Sequence, residues 1–185
     1  MFNKNENIGF IKGHMCSPAI ATQAEDLIAG GVKELIHVGY AGGLQPELVP
    51  GGIILTDGAF NDTAVARLYG YDYDIIHSSK DLTNEIEEMI TSAEILYKRG
   101  IHWTTDAGYR ETWGQVMDYR DKGALCVEME GVGLFTIANY RKCVATGIYV
   151  VSDVYSENDW KLGWEGNDIK RAVGAVIDMI IESIR

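Results

Sequence analysis

Short apolar runs alternate along this chain with stretches of helical periodicity, and that alternation narrows the possible folds more than any other feature. Leu35-Ile36-His37-Val38-Gly39 lacks the in-out alternation of a half-solvated strand, so it reads as a strand buried on both faces. Ile8-Gly9-Phe10-Ile11, Gly52 to Thr56, Asp74 to His77, Ile101 to Thr105, Ala124 to Val127 and the strong run Val144 to Val151 read as further strands. Between them the spacing predicts helices. One is capped by Ser17 with Pro18 at its first position and carries Ile20, Ala24 and Leu27-Ile28 until Gly30-Gly31 stops it. Others are predicted over Thr83 to Arg99, Glu111 to Asp121, Glu128 to Tyr140 and Asp168 to Ile184. Strands alternating with helices imply an α/β fold with a mostly parallel sheet covered on both faces.

Residues 1–185 are enough for one domain with a sizeable core, and 46% hydrophobic residues with only three prolines fit a compact protein. No segment is apolar enough to span a bilayer, and the first seven residues lack the apolar core of a signal peptide, so the expectation is a cytoplasmic protein without membrane contact. A net charge of −11 with no basic run argues against nucleic acid as partner. Cys16, Cys126 and Cys143 show no CxxC spacing, and the four histidines show no i, i+4 pair, so neither a disulfide scaffold nor a metal site is expected.

In α/β sheets of this kind ligands bind beyond the C-terminal strand ends. His37 to Gly43, Thr105 to Arg110, Glu128 to Glu130 and Ser152-Asp153 all fall at such ends, which predicts one shared site. In Cys126-Val127-Glu128-Met129-Glu130-Gly131 two carboxylates flank a methionine where an apolar run gives way to a helical pattern. Acidic acceptors beside an apolar surface match a polyhydroxylated ring, with hydroxyls on its edge and an apolar face. The plainer reading is two glutamates favoured by the dipole at a helix N-terminus. Asp153 ends a strongly apolar strand, where burial raises a carboxyl pKa; its plainer reading is a capping Ser-Asp pair. Gly39 to Gly43 lacks the GxGxxG spacing of a dinucleotide loop.

Four segments in order resemble the nucleoside phosphorylase superfamily, which includes purine nucleoside phosphorylase, uridine phosphorylase and methylthioadenosine nucleosidase. They are Val38 to Gln45, Thr105 to Arg110, Val127 to Phe135 and Val151-Ser152-Asp153. The resemblance runs from about Gly9 to the C-terminus. It implies a three-layer α/β/α sandwich with a mostly parallel, mixed sheet, and cleavage of the N-glycosidic bond of a nucleoside by phosphorolysis. It also implies ribose contacts from Glu128, Met129 and Glu130, with Glu130 the acceptor and Met129 against the sugar face. Ser152, Asp153, Tyr109 and Gly42 would serve the base, with Asp153 protonating or hydrogen-bonding N7 of a leaving purine, and a homodimer or higher homo-oligomer is expected. No organic cofactor is implied, and inorganic phosphate is a possible co-substrate.

The chain departs from that pattern on the phosphate side. The family's first strands, with their arginine-bearing glycine loop, precede the point where this sequence starts. His37 stands where a phosphate arginine is expected, and Tyr40 where the glycine turn has Ser or Thr. A neutral imidazole lacks the bidentate fork that suits phosphate. Cys16 takes the place of a glycine, and Gly108 that of a stacking aromatic, with Tyr109, Trp103, Trp113 and Trp164 as possible substitutes. A phosphate-independent nucleosidase and a degenerate nucleoside-binding or partner subunit are the alternatives.

Overall fold

The computed structural model describes residues 8–156, 159–163 and 166–183. Among the described residues there are seven strands and six helices, of which α2 and β7 were not predicted: α1 (Ser17–Ala29), β1 (Glu34–Gly43), β2 (Ile53–Asp62), α2 (Val65–Leu68), β3 (Ile75–His77), α3 (Lys80–Ser92), β4 (Tyr97–Thr105), α4 (Trp113–Asp121), β5 (Cys126–Glu128), α5 (Gly131–Arg141), β6 (Val144–Ser156), β7 (Asp159–Leu162) and α6 (Asn167–Ser183). A 3-10 turn at Gly108–Arg110 precedes α4.

The strands form one mixed sheet in the order β3-β2-β4-β5-β1-β6-β7. Its longest ladders, β1 with β6 and β2 with β4, are parallel. The sheet is not flat: β2 also pairs antiparallel with β6 through Ile53, Ile54 and Leu55, so β2, β4, β5, β1 and β6 close into a ring. Helices α1 and α5 pack one face with Ala59, Ile76 and Ala145. Helices α3 and α6 cover the other with Ile53, Leu55, Ile148 and Val150. Alternate residues of those same strands, Ile54, Tyr149 and Val151, turn inward with Ala41, Leu48 and Cys126. This double burial is why β2 and β6 carry no polar alternation.

Several boundaries differ from the sequence reading. Ile8 to Ile11 is not a strand; Phe10 and Ile11 are exposed, and the segment is tied to α1 where Gln23 accepts from the His14 amide and donates to the Lys12 carbonyl. The residue before α1 is Cys16 rather than Ser17, which lies fully buried inside the helix. Tyr40 to Gly43 continues β1 instead of turning, because it pairs on both sides, with β6 and β5. The first half of β1 is only half-buried despite its apolar run. Helix α3 ends at Ser92, not Arg99: Glu94 takes a left-handed φ of 54°, and the Ile95 amide closes back onto the Ile90 carbonyl. Helix α5 begins at Gly131 rather than Glu128, because Glu128 completes β5 and turns its carboxylate onto the helix start. Ile184, the predicted end of α6, lies outside the described residues.

Candidate active site

The register of four neighbouring strands explains how distant segments meet. Trp103 and Thr104 of β4 pair with Val127 and Glu128 of β5; Val127 pairs with Gly42 of β1, and Gly42 with Asp153 of β6. Glu128 and Asp153 thus stand two strand spacings apart, about 10 Å. A bulge sets the last position: Ala41 pairs with Val151 and Gly42 with Asp153, leaving Ser152 as the extra residue. Ser152 is buried; its hydroxyl lies 2.5 Å from Asp153 Oδ1 and 3.3 Å from the Ala41 carbonyl. Gly42 is required by close approach, since a Cβ there would sit 3.1 Å from the Tyr155 ring and 3.2 Å from Asp153 Oδ2. Ser152, Asp153 and Gly42 are therefore brought together.

On the β5 side the two glutamates have different environments. Glu128 is buried, and every contact it makes is internal. Its Oε1 accepts from Thr104 Oγ1 at 2.5 Å and from His102 Nε2 at 3.0 Å. Its Oε2 accepts from the amides of Glu130 and Gly131 at 2.7 and 2.8 Å. Burial works against its charge, yet His102, Thr104 and the helix-start amides overcome it and hold the carboxyl low, at about 2. Glu128 is thus an anchored anion beneath the surface residues, and it orients Glu130 through the backbone.

Glu130 is half-buried and begins α5, with Oε1 accepting from the Cys16 amide at 2.7 Å. Burial, and then the negative charge of Glu128, push its carboxyl up to about 7, against the Cys16 amide that favours ionisation. Met129 between them is half-buried, its sulfur beside Gly108 and its carbonyl accepting from the Ser17 hydroxyl. Helices α1 and α5 cross in backbone contact here: a Cβ on Gly133 would meet the Ser17 carbonyl at 2.5 Å. That crossing delivers the Cys16 amide to Glu130.

Cys16 itself adopts φ 74° and ψ 149°, a conformation suited to glycine, which agrees with the expectation of glycine at this position. Such strain costs about 1–3 kcal/mol. Restoring glycine also frees the unfolded chain, which returns about 0.5–1 kcal/mol of the gain. Cys16→Gly should still raise the melting temperature by about 2–4 °C, a net gain near 1 kcal/mol. An unchanged or lower melting temperature in a thermal scan would show that the thiol packs well enough to offset the strain.

Other expected site residues are placed apart. His37 and Tyr40 point to opposite faces of β1, so they do not form one phosphate or water region. His37 packs edge-on against Tyr149 at 5.7 Å, Tyr149 lies 4.8 Å from His102, and His37 therefore belongs behind Glu128. Burial lowers the pKa of His37, with the charge of Glu128 opposing, so it is neutral at pH 7. Tyr40 is exposed. Tyr109 is fully exposed on the 3-10 turn and stacks on nothing described near Asp153. Trp103 is fully buried and stacked on Tyr119 at 4.3 Å, a core role, while Trp113 is exposed and Trp164 lies outside the described residues.

The sequence reading missed the shell behind Glu128. His102 and Thr104 share one face of β4, and Thr56 holds His102 Nδ1 at 2.6 Å. Two polar residues at period two on either side of Trp103, in the buried half of β4, were the available signal. Glu111 and Tyr155 beside Asp153 were also missed; they come from segments 44 residues apart, and no local pattern links them. Among the described residues no group of three metal-ligating side chains converges, and no helix is long and apolar enough to cross a membrane.

The family described as the phosphorylase superfamily matches residues 7–182. A purine nucleoside phosphorylase DeoD-type from Exiguobacterium sibiricum is 32% identical over 139 residues, covering 74% of this chain and 59% of its own length. The protein of the same description from Caldanaerobacter subterraneus subsp. tengcongensis is 33% identical over 156 residues, 78% of this chain and 67% of its own. The chain thus spans 59% of the length of the first of these relatives. A solved structure described as the P knowlesi homolog of P falciparum PNP superposes with a TM-score of 0.76 at 23% identity, covering 89% of this chain and 66% of that one, which is a likeness of fold.

Proposed function

The chain belongs to the phosphorylase superfamily, and on that footing we propose that it cleaves the N-glycosidic bond of a purine nucleoside, with inorganic phosphate as the acceptor. The observation that carries this reading is the register that sets Val127, directly before Glu128-Met129-Glu130, and Asp153 on either side of Gly42, two strand spacings or about 10 Å apart, the length scale of a sugar joined to its base. Glu130 accepts hydrogen bonds from ribose hydroxyls, and its carboxylate favours the positive character that builds on the sugar. Met129 lies against the apolar sugar face. Asp153 gives a proton to, or hydrogen-bonds, N7 of the purine as the bond to C1′ breaks and its electron pair moves onto the base. A phosphate oxygen then completes the bond to C1′. Glu128 positions Glu130 from beneath, and no organic cofactor enters this scheme.

A phosphate-independent nucleosidase is the second reading, favoured by the charges near Cys16 and Glu130. The charged groups that act on those two residues are Glu128, Glu130 and Asp106, all acidic, and His37 is neutral. Association of copies belongs to the same proposal, since Phe10, Ile11 and Met15 expose apolar area that a second copy would cover.

Base release from a panel of purine nucleosides, with and without phosphate, tests both readings. Strict phosphate dependence supports phosphorolysis, and release without phosphate supports the nucleosidase. Binding without release would leave a nucleoside-binding subunit, and no binding would overturn the site.

Glu130→Gln adds a signature in stability. The carboxyl of Glu130 stands near 7 in the folded protein against an ordinary 4.5. Its contribution is fully present below about pH 4.5 and is lost as pH rises through 7. The amide has nothing to ionise, so the variant should match the parent at pH 4–5 and exceed it by about 1–3 kcal/mol at pH 8. Nucleoside binding should weaken at the same time, as a neutral acceptor replaces a charged one. Melting curves at the two pH values with a binding titration check this; equal binding would return Glu130 to a plain helix-start residue.

A further inference from the structure

The base side of the site contains a second carboxyl that nothing above uses. Asp153 and Tyr155 lie two residues apart on β6 and share a face, both against the bare Cα of Gly42. The Tyr155 hydroxyl donates to Glu111 Oε2 at 2.8 Å, which ties the segment between the 3-10 turn and α4 to β6. Glu111 is half-buried, and directly after it the chain enters the capping box in which Thr112 and Gln115 bond reciprocally, so its backbone is held from that side too. Among the described residues the ionisable groups that act on Glu111 are Tyr155 and Asp153; Arg110 precedes it on its own segment and is exposed.

Resting on the glycosidic-cleavage reading, we propose that Glu111 is a positioning residue for Asp153: it holds Tyr155, which packs with Asp153 against Gly42, and so sets the acid that gives the departing base its proton. Burial first, then the charge of Asp153, raises the Glu111 carboxyl, with the Tyr155 hydrogen bond opposing. Burial and the charges of Glu111 and Asp153 raise the Tyr155 phenol as well, so it remains a donor at neutral pH. In the step itself the C1′–N bond breaks, its electron pair passes to the base, and the proton moves from Asp153 to the ring nitrogen. The acceptor oxygen bonds to C1′, and Asp153 regains a proton from water.

Glu111→Gln removes the partner charge and keeps the shape. The alkaline limb of the kcat profile should move to lower pH, with a fall in kcat of about tenfold at pH 8, little change in KM and recovery at lower pH. A nucleoside already alkylated at N7 needs no proton there and should be turned over as by the parent. An unshifted profile would overturn the proposal, as would an equal loss on the alkylated substrate. A titration of the Glu111 carboxyl by carbon NMR separates this inference from the proposed function, because it needs no turnover. Its midpoint should fall in Asp153→Asn, and an unchanged midpoint overturns the pairing even where the parent cleaves nucleosides. Should Asp153→Asn fail to fold, Tyr155→Phe replaces it: loss of the donor should raise the Glu111 midpoint, and a stationary midpoint again overturns the arrangement.

Discussion

Replacing Glu128 by alanine should destabilise the protein by about 3–5 kcal/mol, because the substitution strips the acceptor from a buried polar cluster. Four donors would lose their partner: His102 Nε2, the Thr104 hydroxyl, and the amides of Glu130 and Gly131. His102 and Thr104 are fully buried, so water does not replace the lost acceptor there. For a chain of this size the loss corresponds to a fall in melting temperature of roughly 6–20 °C. The pH dependence gives a second check. The Glu128 carboxyl is held near 2 when folded against an ordinary 4.5, so its contribution is present above about pH 4.5 and disappears as pH falls towards 2. The parent should therefore lose its advantage over Glu128→Ala progressively across that acid range. A variant that melts within a degree or two of the parent at pH 7 would show that the cluster contributes little. It would also remove the argument that Glu128 anchors Glu130.

The second large effect is catalytic. Asp153→Asn should lower kcat on ordinary purine nucleosides by about 10²–10⁴-fold, the usual range for removing a positioned general acid. Folding should change less, because asparagine has the same shape and can still accept from the Ser152 hydroxyl that meets Asp153 Oδ1 at 2.5 Å. The substrate alkylated at N7 again separates chemistry from structure: its base leaves without a proton, so most of the loss should vanish. Loss of the same size on both substrates would assign Asp153 to positioning or folding. Full activity on both would place the leaving-group chemistry elsewhere.

How much of this was legible in the residues varies by part. The alternation of strand and helix was, because buried strands here are nearly pure apolar runs, as in Val144 to Val151, and α6 keeps a clean helical stripe. Boundaries set by a single reversal were not. Helix α3 ends on Glu94 in a left-handed conformation, where sequence would have suggested glycine, so its periodicity seemed to continue to Gly100. Cys16 is the converse case: an odd residue where glycine was expected, whose backbone still takes the shape glycine favours. The plainer reading of the Glu128-Met129-Glu130 stretch, carboxylates at a helix start, describes Glu128 well, since it accepts from the first amides of α5. The proposed ligand role falls to Glu130, which is only half-buried.

By itself, then, the order of residues determined which segments become strands and helices and which chemical groups follow them, because hydrophobic period is a local property. Only the tertiary structure decided how those groups divide the work. Closing the sheet by pairing β2 with β6, and pushing Ser152 out as a bulge, set the burial of each carboxyl and its neighbours. His102 and Thr104 of β4 hold Glu128 near 2, while burial and the charge of Glu128 push Glu130 to about 7. Charge state follows from desolvation and from donors contributed by other strands, and neither is written in the spacing of a motif.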